Sequence, residues 1–117
     1  MNPKDALGRY GEDIAAEFLE NLGFAILDRN WRCDLGEIDI IARDGADLVI
    51  CEVKTRRSVR FGTPLEAVSE RKMRRLRRLV IRWLDERSLH VAVIRFDVIG
   101  IVAPPAGQPT ISHVRGA

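Results

Sequence analysis

The chain has no apolar run approaching the length of a membrane-spanning helix. Its opening stretch, MNPKDALGRYGED, lacks the apolar core of a secretory signal. Cysteine is scarce, and Cys33 and Cys51 make neither a metal-ligand spacing nor a disulfide framework. These absences lead us to expect a cytoplasmic, reduced protein with no membrane partner. Cys51 alternates with Val49 and Val53, so it reads as a small core residue. There is no internal repeat and no sign of a second domain; 117 residues suffice for one domain with a real core. Net charge is also nearly absent, at +2, and says little about partners.

The distribution of charge says more. Acids dominate from Glu12 to Glu20, and basic residues cluster from Arg71 to Arg82. Over residues 6–22, Leu7, Ile14, Ala15, Phe18, Leu19 and Leu22 recur at helical spacing, with Asp13, Glu17 and Glu20 opposite and Gly23 as the stop. Glu12 stands apart from its acidic neighbours. At about 100° per residue it lies beside Ala15 and Leu19, on the border of the apolar face, and can lean toward whatever sheet this helix covers.

Residues 24–31 read as a first strand, and 37–43 and 47–56 as two stronger ones, with the hairpin signal Asp44-Gly45 between them. Gly62, Thr63 and Pro64 mark a break and a helix start, with Thr63 as N-cap and Pro64 at the first helical position. That helix is expected to run to about residue 87. Residues 90–101 read as another strand, 103–109 as a loop, and 110–114 as a short edge strand. The order is helix, three strands, helix, strand.

Two strands carry acids inside apolar runs, GEIDII at 36–41 and LVICEVK at 48–54. Such carboxylates cost free energy unless they are paired or bind a cation. Alternation puts Glu37, Asp39 and Ile41 on one face of the first, and Leu48, Ile50, Glu52 and Lys54 on one face of the second. A two-residue loop at Asp44-Gly45 pairs Glu37 with Glu52 and Asp39 with Ile50; a four-residue loop pairs Asp39 directly with Glu52. In either register Asp39 and Glu52 are direct or diagonal neighbours, roughly 5–8 Å apart. Two carboxylates that close repel unless something positive lies between them. Mg²⁺ suits the place, because it takes oxygen ligands and keeps several waters, and Mn²⁺ is the alternative ion. Lys54 points to the same side, where it can orient a water or stabilise charge on a phosphate. The plainer reading is a cross-strand salt bridge on an exposed face. Leu48 and Ile50 on that face, and Glu12 approaching it, weigh against the plainer reading.

The second helix has Met73, Leu76, Leu79, Val80, Trp83 and Leu84 on one side and Arg71, Arg74, Arg75, Arg78 and Arg82 on the other. Lys72 lies at the border of the stripe and can face the acids. No acid at helical spacing relieves the repulsion before Asp85. A solvated face is the ordinary explanation; a polyanionic partner also accounts for it, through sequence-independent phosphate contacts. Arg56, Arg57 and Arg60 extend the positive surface. Glu37 is expected to pair with Arg32 or Arg56, and Asp97 with an arginine such as Arg95. His90 and His113 read as structural.

These residues carry a resemblance. GRYGEDIAAEFLENLGF, RNWRCDLGEIDIIARDG, LVICEVKTR, the FGTPLEAV…K segment and RFDVIGI resemble, in order, the YraN-like (UPF0102) family of small bacterial proteins. That family is similar to the restriction-endonuclease-like (PD-(D/E)XK) superfamily and, within it, to the archaeal Holliday-junction resolvases. The resemblance implies an α/β fold with an αβββαβ core, a mixed sheet flanked by two helices. Residues 1–102 would form the endonuclease-like domain, followed by the loop and edge strand of 103–117. It implies that Asp39 and Glu52 hold Mg²⁺ with the backbone carbonyl of Val53. Lys54 would position the attacking water, and Glu12 would complete the catalytic set.

The function expected is a metal-dependent nuclease acting on DNA, with branched or structured DNA of recombination or repair as the substrate class implied by the resemblance. A homodimer is expected if two strands are cut symmetrically. A non-catalytic nucleic-acid-binding module with the same fold is the alternative. An interaction protein whose basic helix binds an acidic partner is a third reading, separable by the salt dependence of DNA binding.

Overall fold

The computed structural model describes residues 2–60, 62 and 69–117. The elements are α1 (Pro3–Asn21), β1 (Ala25–Cys33), β2 (Gly36–Asp44), β3 (Asp47–Arg56), α2 (Glu70–Glu86), β4 (Ile94–Val102) and β5 (Thr110–Val114). The expected order αβββαβ is present, with β5 added at its end. Among the described residues no helix is long and apolar enough to cross a membrane.

The side chain of Asn2 caps α1 by accepting the Asp5 N–H at 2.9 Å. At the other end the Gly23 N–H donates to Glu20 and the Phe24 N–H to Leu19. This paired closure needs a left-handed residue after the helix, which Gly23 supplies at φ +94°. Phe24 and Leu19 meet in the core beneath it. Leu22, expected on the apolar face, is 46% exposed instead; it is the capping residue and points off the end of the helix.

The five strands lie in sequence order. All neighbours are antiparallel except β3 and β4, which are parallel and joined through α2. α1 covers one face, over Ile40, Val49, Cys51 and Ile99; α2 covers the other, over Ile38, Ile41, Leu48 and Ile50. β3 is therefore buried on both sides, which explains its continuous apolar run. Each fully buried aliphatic side chain there contributes about 1.5–3 kcal/mol.

The β2–β3 hairpin takes the second of the two expected registers, with its tight turn one residue beyond Asp44-Gly45. Its two-residue loop is Gly45-Ala46, flanked by the pair Asp44–Asp47, with Gly45 at φ +61°. Arg43 therefore pairs with Leu48, the register that makes Asp39 and Glu52 direct rather than diagonal neighbours. The strand expected from residue 90 begins only at Ile94; just before it, the Val93 carbonyl accepts the Leu48 N–H at 3.0 Å.

α2 is capped by Ser69, whose hydroxyl accepts the Lys72 N–H at 3.2 Å. Thr63 and Pro64, expected to start this helix, lie outside the described residues. The six apolar residues assigned to its inner face are the six that are buried. The Trp83 indole N–H donates to Asp28 at 3.1 Å, and Arg87 reaches the same carboxylate at 3.1 Å. Asp97 on β4 is only 1% exposed. Its two oxygens accept a forked pair from Arg95 and the Gly116 N–H, and one lies 2.8 Å from His113 Nε2. Those partners hold its carboxyl below the usual range against the effect of burial. The arginine partner and the structural role of His113 were both expected.

α1 lies tight against β3 at Gly11, where a side-chain Cβ would collide with Thr55. The neighbouring residue, Glu12, is delivered to the sheet by this close approach. Gly11→Ala is expected to destabilise the fold by about 1–3 kcal/mol through overpacking; urea unfolding with an unchanged m-value would register it. Wild-type stability in this variant would mean that the helix does not need to lie so close.

Candidate active site

The β2–β3 ladder has its last rung at Ile40–Cys51, while β3 stays paired with β4 as far as Arg56. Asp39 and Glu52 are the first residues beyond that rung. Asp39 Oδ2 accepts the Val53 N–H at 2.8 Å, so a side chain takes the donor that a continuing ladder would have used. Alternation breaks at the same point. Ile40 packs under α1, but Ile38, two residues away, packs under α2 with Ile41. The expected common face of Glu37, Asp39 and Ile41 is therefore not kept: Glu37 lines a cleft on the α1 side and Ile41 lies in the α2 core.

Burial pushes the Asp39 carboxyl up to about 7, and the nearby charges of Glu52 and Glu12 push in the same direction. The Val53 N–H and Lys72 oppose them only partly. The two expected acids are thus in electrostatic contact with Asp39, one from each side of the strand.

Glu52 is 3% exposed. Its Oε1 is paired with the Lys72 ammonium and lies 3.6 Å from the Lys54 ammonium. The two lysines diverge. Burial, then Lys72, lowers Lys54 below the ordinary lysine range. Burial would lower Lys72 too, but its bond and charge interaction with Glu52 raise it. Lys72 is the firmly charged member of the pair.

Glu12 is buried and raised by desolvation. It accepts from Asn30 at 2.7 Å and from Arg29 at 3.3 Å. It lines a cleft of about 860 Å³ with Arg9, Asn30, Glu37, Asp39 and Val53. Glu37 pairs with Arg32 at 3.0 Å, one of the two partners expected for it.

Among the described residues no three carboxylate, imidazole or thiol groups converge closely enough to hold a metal by themselves. The donor set that does converge is Asp39 and Glu52 at the end of the ladder, beside the Val53 peptide. It fits an ion such as Mg²⁺, which is held by one or two carboxylates and otherwise keeps its waters. The Asp39 carboxyl is raised first by burial and then by the charge of Glu52, and only the latter is what such an ion would offset.

Arg71, Arg74, Arg75 and Arg78 line a groove of about 360 Å³ against Leu35 of the β1–β2 turn. Three residues of the expected basic surface are engaged elsewhere. Arg82 pairs with Asp34 at 2.9 Å, Arg57 donates to the Ala103 carbonyl at 3.4 Å, and Lys72 is turned to Glu52. The Arg56 backbone carbonyl accepts from Ala103 at 2.7 Å while the residue stays exposed, as does Arg60. Sequence reading let Lys72 face the acids but did not single out Glu52, 20 residues away in the chain, as its partner, and it missed the contact of Asn30 with Glu12. Asn30 has φ +52°, a conformation that asparagine tolerates better than most residues. That tolerance is the only local signal it carries.

Residues 11–101 match the Uncharacterised protein family UPF0102. A UPF0102 protein of Nocardioides sp. is 55% identical over 97% of this chain and 91% of its own length. One from Frankia alni is 55% identical over 100% and 98%, and one from Streptomyces griseus 52% over 99% and 98%.

The raised Asp39 carboxyl has a consequence for stability. The folded form holds a proton up to about pH 7, whereas an unfolded aspartate loses it near pH 3.9. Folding therefore takes up a proton in that window, and stability falls as pH rises from about 4 to about 7. Glu12 adds a slope of the same sign. Asp39→Asn keeps an acceptor for Val53 and removes the larger part of the slope. In EDTA it is expected to melt higher than wild type at pH 8 and close to it at pH 4. Identical pH dependence in the two proteins would assign the slope to other groups.

Proposed function

Since the chain belongs to the UPF0102 family, we propose that it is a divalent-metal-dependent nuclease hydrolysing DNA phosphodiesters, with branched or structured DNA as its substrate class. The observation that carries this reading is the end of the β2–β3 ladder. There a partly buried carboxylate without an ion pair (Asp39) adjoins a buried one (Glu52) with two ammonium groups at one of its oxygens. A sheet needs none of this for solubility.

Asp39, Glu52 and the Val53 carbonyl would hold the ion, Mg²⁺ or Mn²⁺. When bound, the ion supplies charge neutralisation at the phosphate and a more acidic water. Lys54 stands beside Glu52 with its proton affinity lowered, chiefly by burial, which suits a group that orients the attacking water. Glu12, fixed by Arg29 and Asn30, limits the cleft and adds negative charge on the far side of Asp39. In the reaction the water oxygen bonds to phosphorus, one phosphorus–oxygen bond to sugar breaks, and the water's proton ends on the departing oxygen. The arginine groove of α2 would hold neighbouring phosphates through sequence-independent contacts.

The alternative, a non-catalytic nucleic-acid-binding module, draws on one observation: Lys72 already compensates Glu52. The two readings separate in a nuclease assay over linear, flapped and four-way DNA with Mg²⁺, Mn²⁺ or EDTA. Cleavage is expected with either metal and none in EDTA. Lys54→Ala should lose cleavage while retaining DNA binding and the Mn²⁺-induced rise in melting temperature, and Lys54→Arg should not fully restore it. Full activity in Lys54→Ala would remove the role assigned to that residue. Folded wild type inactive on every substrate would favour the binding module.

Replacing Arg74, Arg75 and Arg78 by Gln keeps helix propensity. Affinity should fall alike for all DNA sequences, and the slope of log affinity against log salt should flatten by about 2–3, near 0.9 for each phosphate no longer neutralised. An unchanged slope would take the groove out of the DNA interface.

A further inference from the structure

We propose that Lys72 is the resident counter-cation of the acidic site, and that a divalent ion must displace its ammonium from Glu52 in order to bind. The inference rests on the reading of Asp39 and Glu52 as metal ligands. Three features carry it.

The first is position. Lys72 stands in the first turn of α2, and its own N–H is tied to the Ser69 cap at 3.2 Å. Its backbone is therefore fixed, while the long side chain can swing. The second is contact. Its ammonium is the nearest cation to Glu52 Oε1, ahead of Lys54 at 3.6 Å. The Glu52 side chain is only 4% exposed, so water compensates little of its charge. A carboxylate buried to that degree needs a cation at all times.

The third is exclusion. An ion taking Glu52 as a ligand needs the oxygen atoms directly, and a divalent charge in contact with an ammonium is strongly repelled. Lys72 is 27% exposed at its side chain, so it has solvent to move into. Its neighbours Arg71 and Arg75 line the groove on the same helix. Lys72 is in this view a positioning residue, which holds Glu52 in place and sets how tightly the metal binds, although its spacing in the sequence groups it with the phosphate-binding stripe.

The test is calorimetric titration of Mn²⁺ into the full chain without DNA, paired with melting curves in EDTA. Lys72→Met keeps the length and removes the charge. It is expected to bind Mn²⁺ about tenfold more tightly, equivalent to about 1.4 kcal/mol, and to melt lower than wild type in EDTA but not in Mn²⁺. Lys72→Arg should behave as wild type, and Lys54→Met should gain less than Lys72→Met. If Lys72→Met does not fold without metal, Lys72→Gln, whose amide can still donate to Glu52, is titrated in its place. Unchanged or weaker Mn²⁺ binding on removal of the Lys72 charge would overturn the proposal. So would equal gains at Lys54 and Lys72, which would indicate a general field rather than direct pairing. Glu52→Gln separates the role of Lys72 from the metal site itself. If it abolishes Mn²⁺ binding while the Lys72 variants change nothing, only the role of Lys72 fails. If neither wild type nor the Lys72 variants bind Mn²⁺, the metal site fails, and the role of Lys72 with it.

Discussion

The hydrogen bond from the Val53 N–H to Asp39 sits where β2 leaves β3, and the geometry of the candidate site follows from it. Past the Ile40–Cys51 rung the two strands stop pairing, and backbone donors there would be left without partners in a buried region. An orphaned buried donor costs about 1–3 kcal/mol. Asp39 removes that cost with its side chain, which requires the carboxylate to lie in the seam between strands rather than on either face. From the seam it feels Glu52 on the α2 side and Glu12 on the α1 side. The strands' parting thus creates both the opening and the acid that occupies it.

Charge compensation then divides the surroundings in two. On the α1 side Glu12 is matched by Arg29 and Asn30 within an open cleft. On the α2 side the buried Glu52 is matched by Lys72 and Lys54. Asp39 is left between them with no full ion pair, and its proton affinity rises accordingly. A neutral carboxyl at acidic pH or a bound cation at neutral pH would each relieve the same repulsion.

The buried acid of β4, by contrast, is fully matched. Asp97 accepts from Arg95, which also reaches Asp44 at 3.0 Å, and His113 stacks edge-on against Phe18 while holding Asp97. These bonds join β2, β4, β5 and the chain's last residues into one network. A buried carboxylate with all its partners satisfied is costly to disturb, whereas the Asp39 region keeps its imbalance. Asp97 is fully buried and matched, whereas Asp39 is partly buried and has no ion pair.

Much of this was legible in the chain. Helical and strand periodicity located both helices and five strands, because burial on one face imposes spacing that survives without knowledge of the partner. The six inner residues of α2 follow from that rule. The Asp–Glu-x-Lys pattern singled out Asp39, Glu52 and Lys54, since acids in apolar runs demand an explanation at any register. The register itself was open between two loops, because Asp44, Gly45 and Ala46 all permit a turn; only the closing pairs around the hairpin decided it. The break in alternation at Asp39 was invisible, as it comes from β2 parting with a neighbour and not from β2's own residues. The side Lys72 takes was open for a related reason. Helical spacing put it on the border between two faces, and only the docking of α2 on the sheet determined that its ammonium meets Glu52. Local spacing determined which residues could take part; the departure of one strand and the seating of one helix decided which of them meet, because those distances depend on elements far apart in sequence.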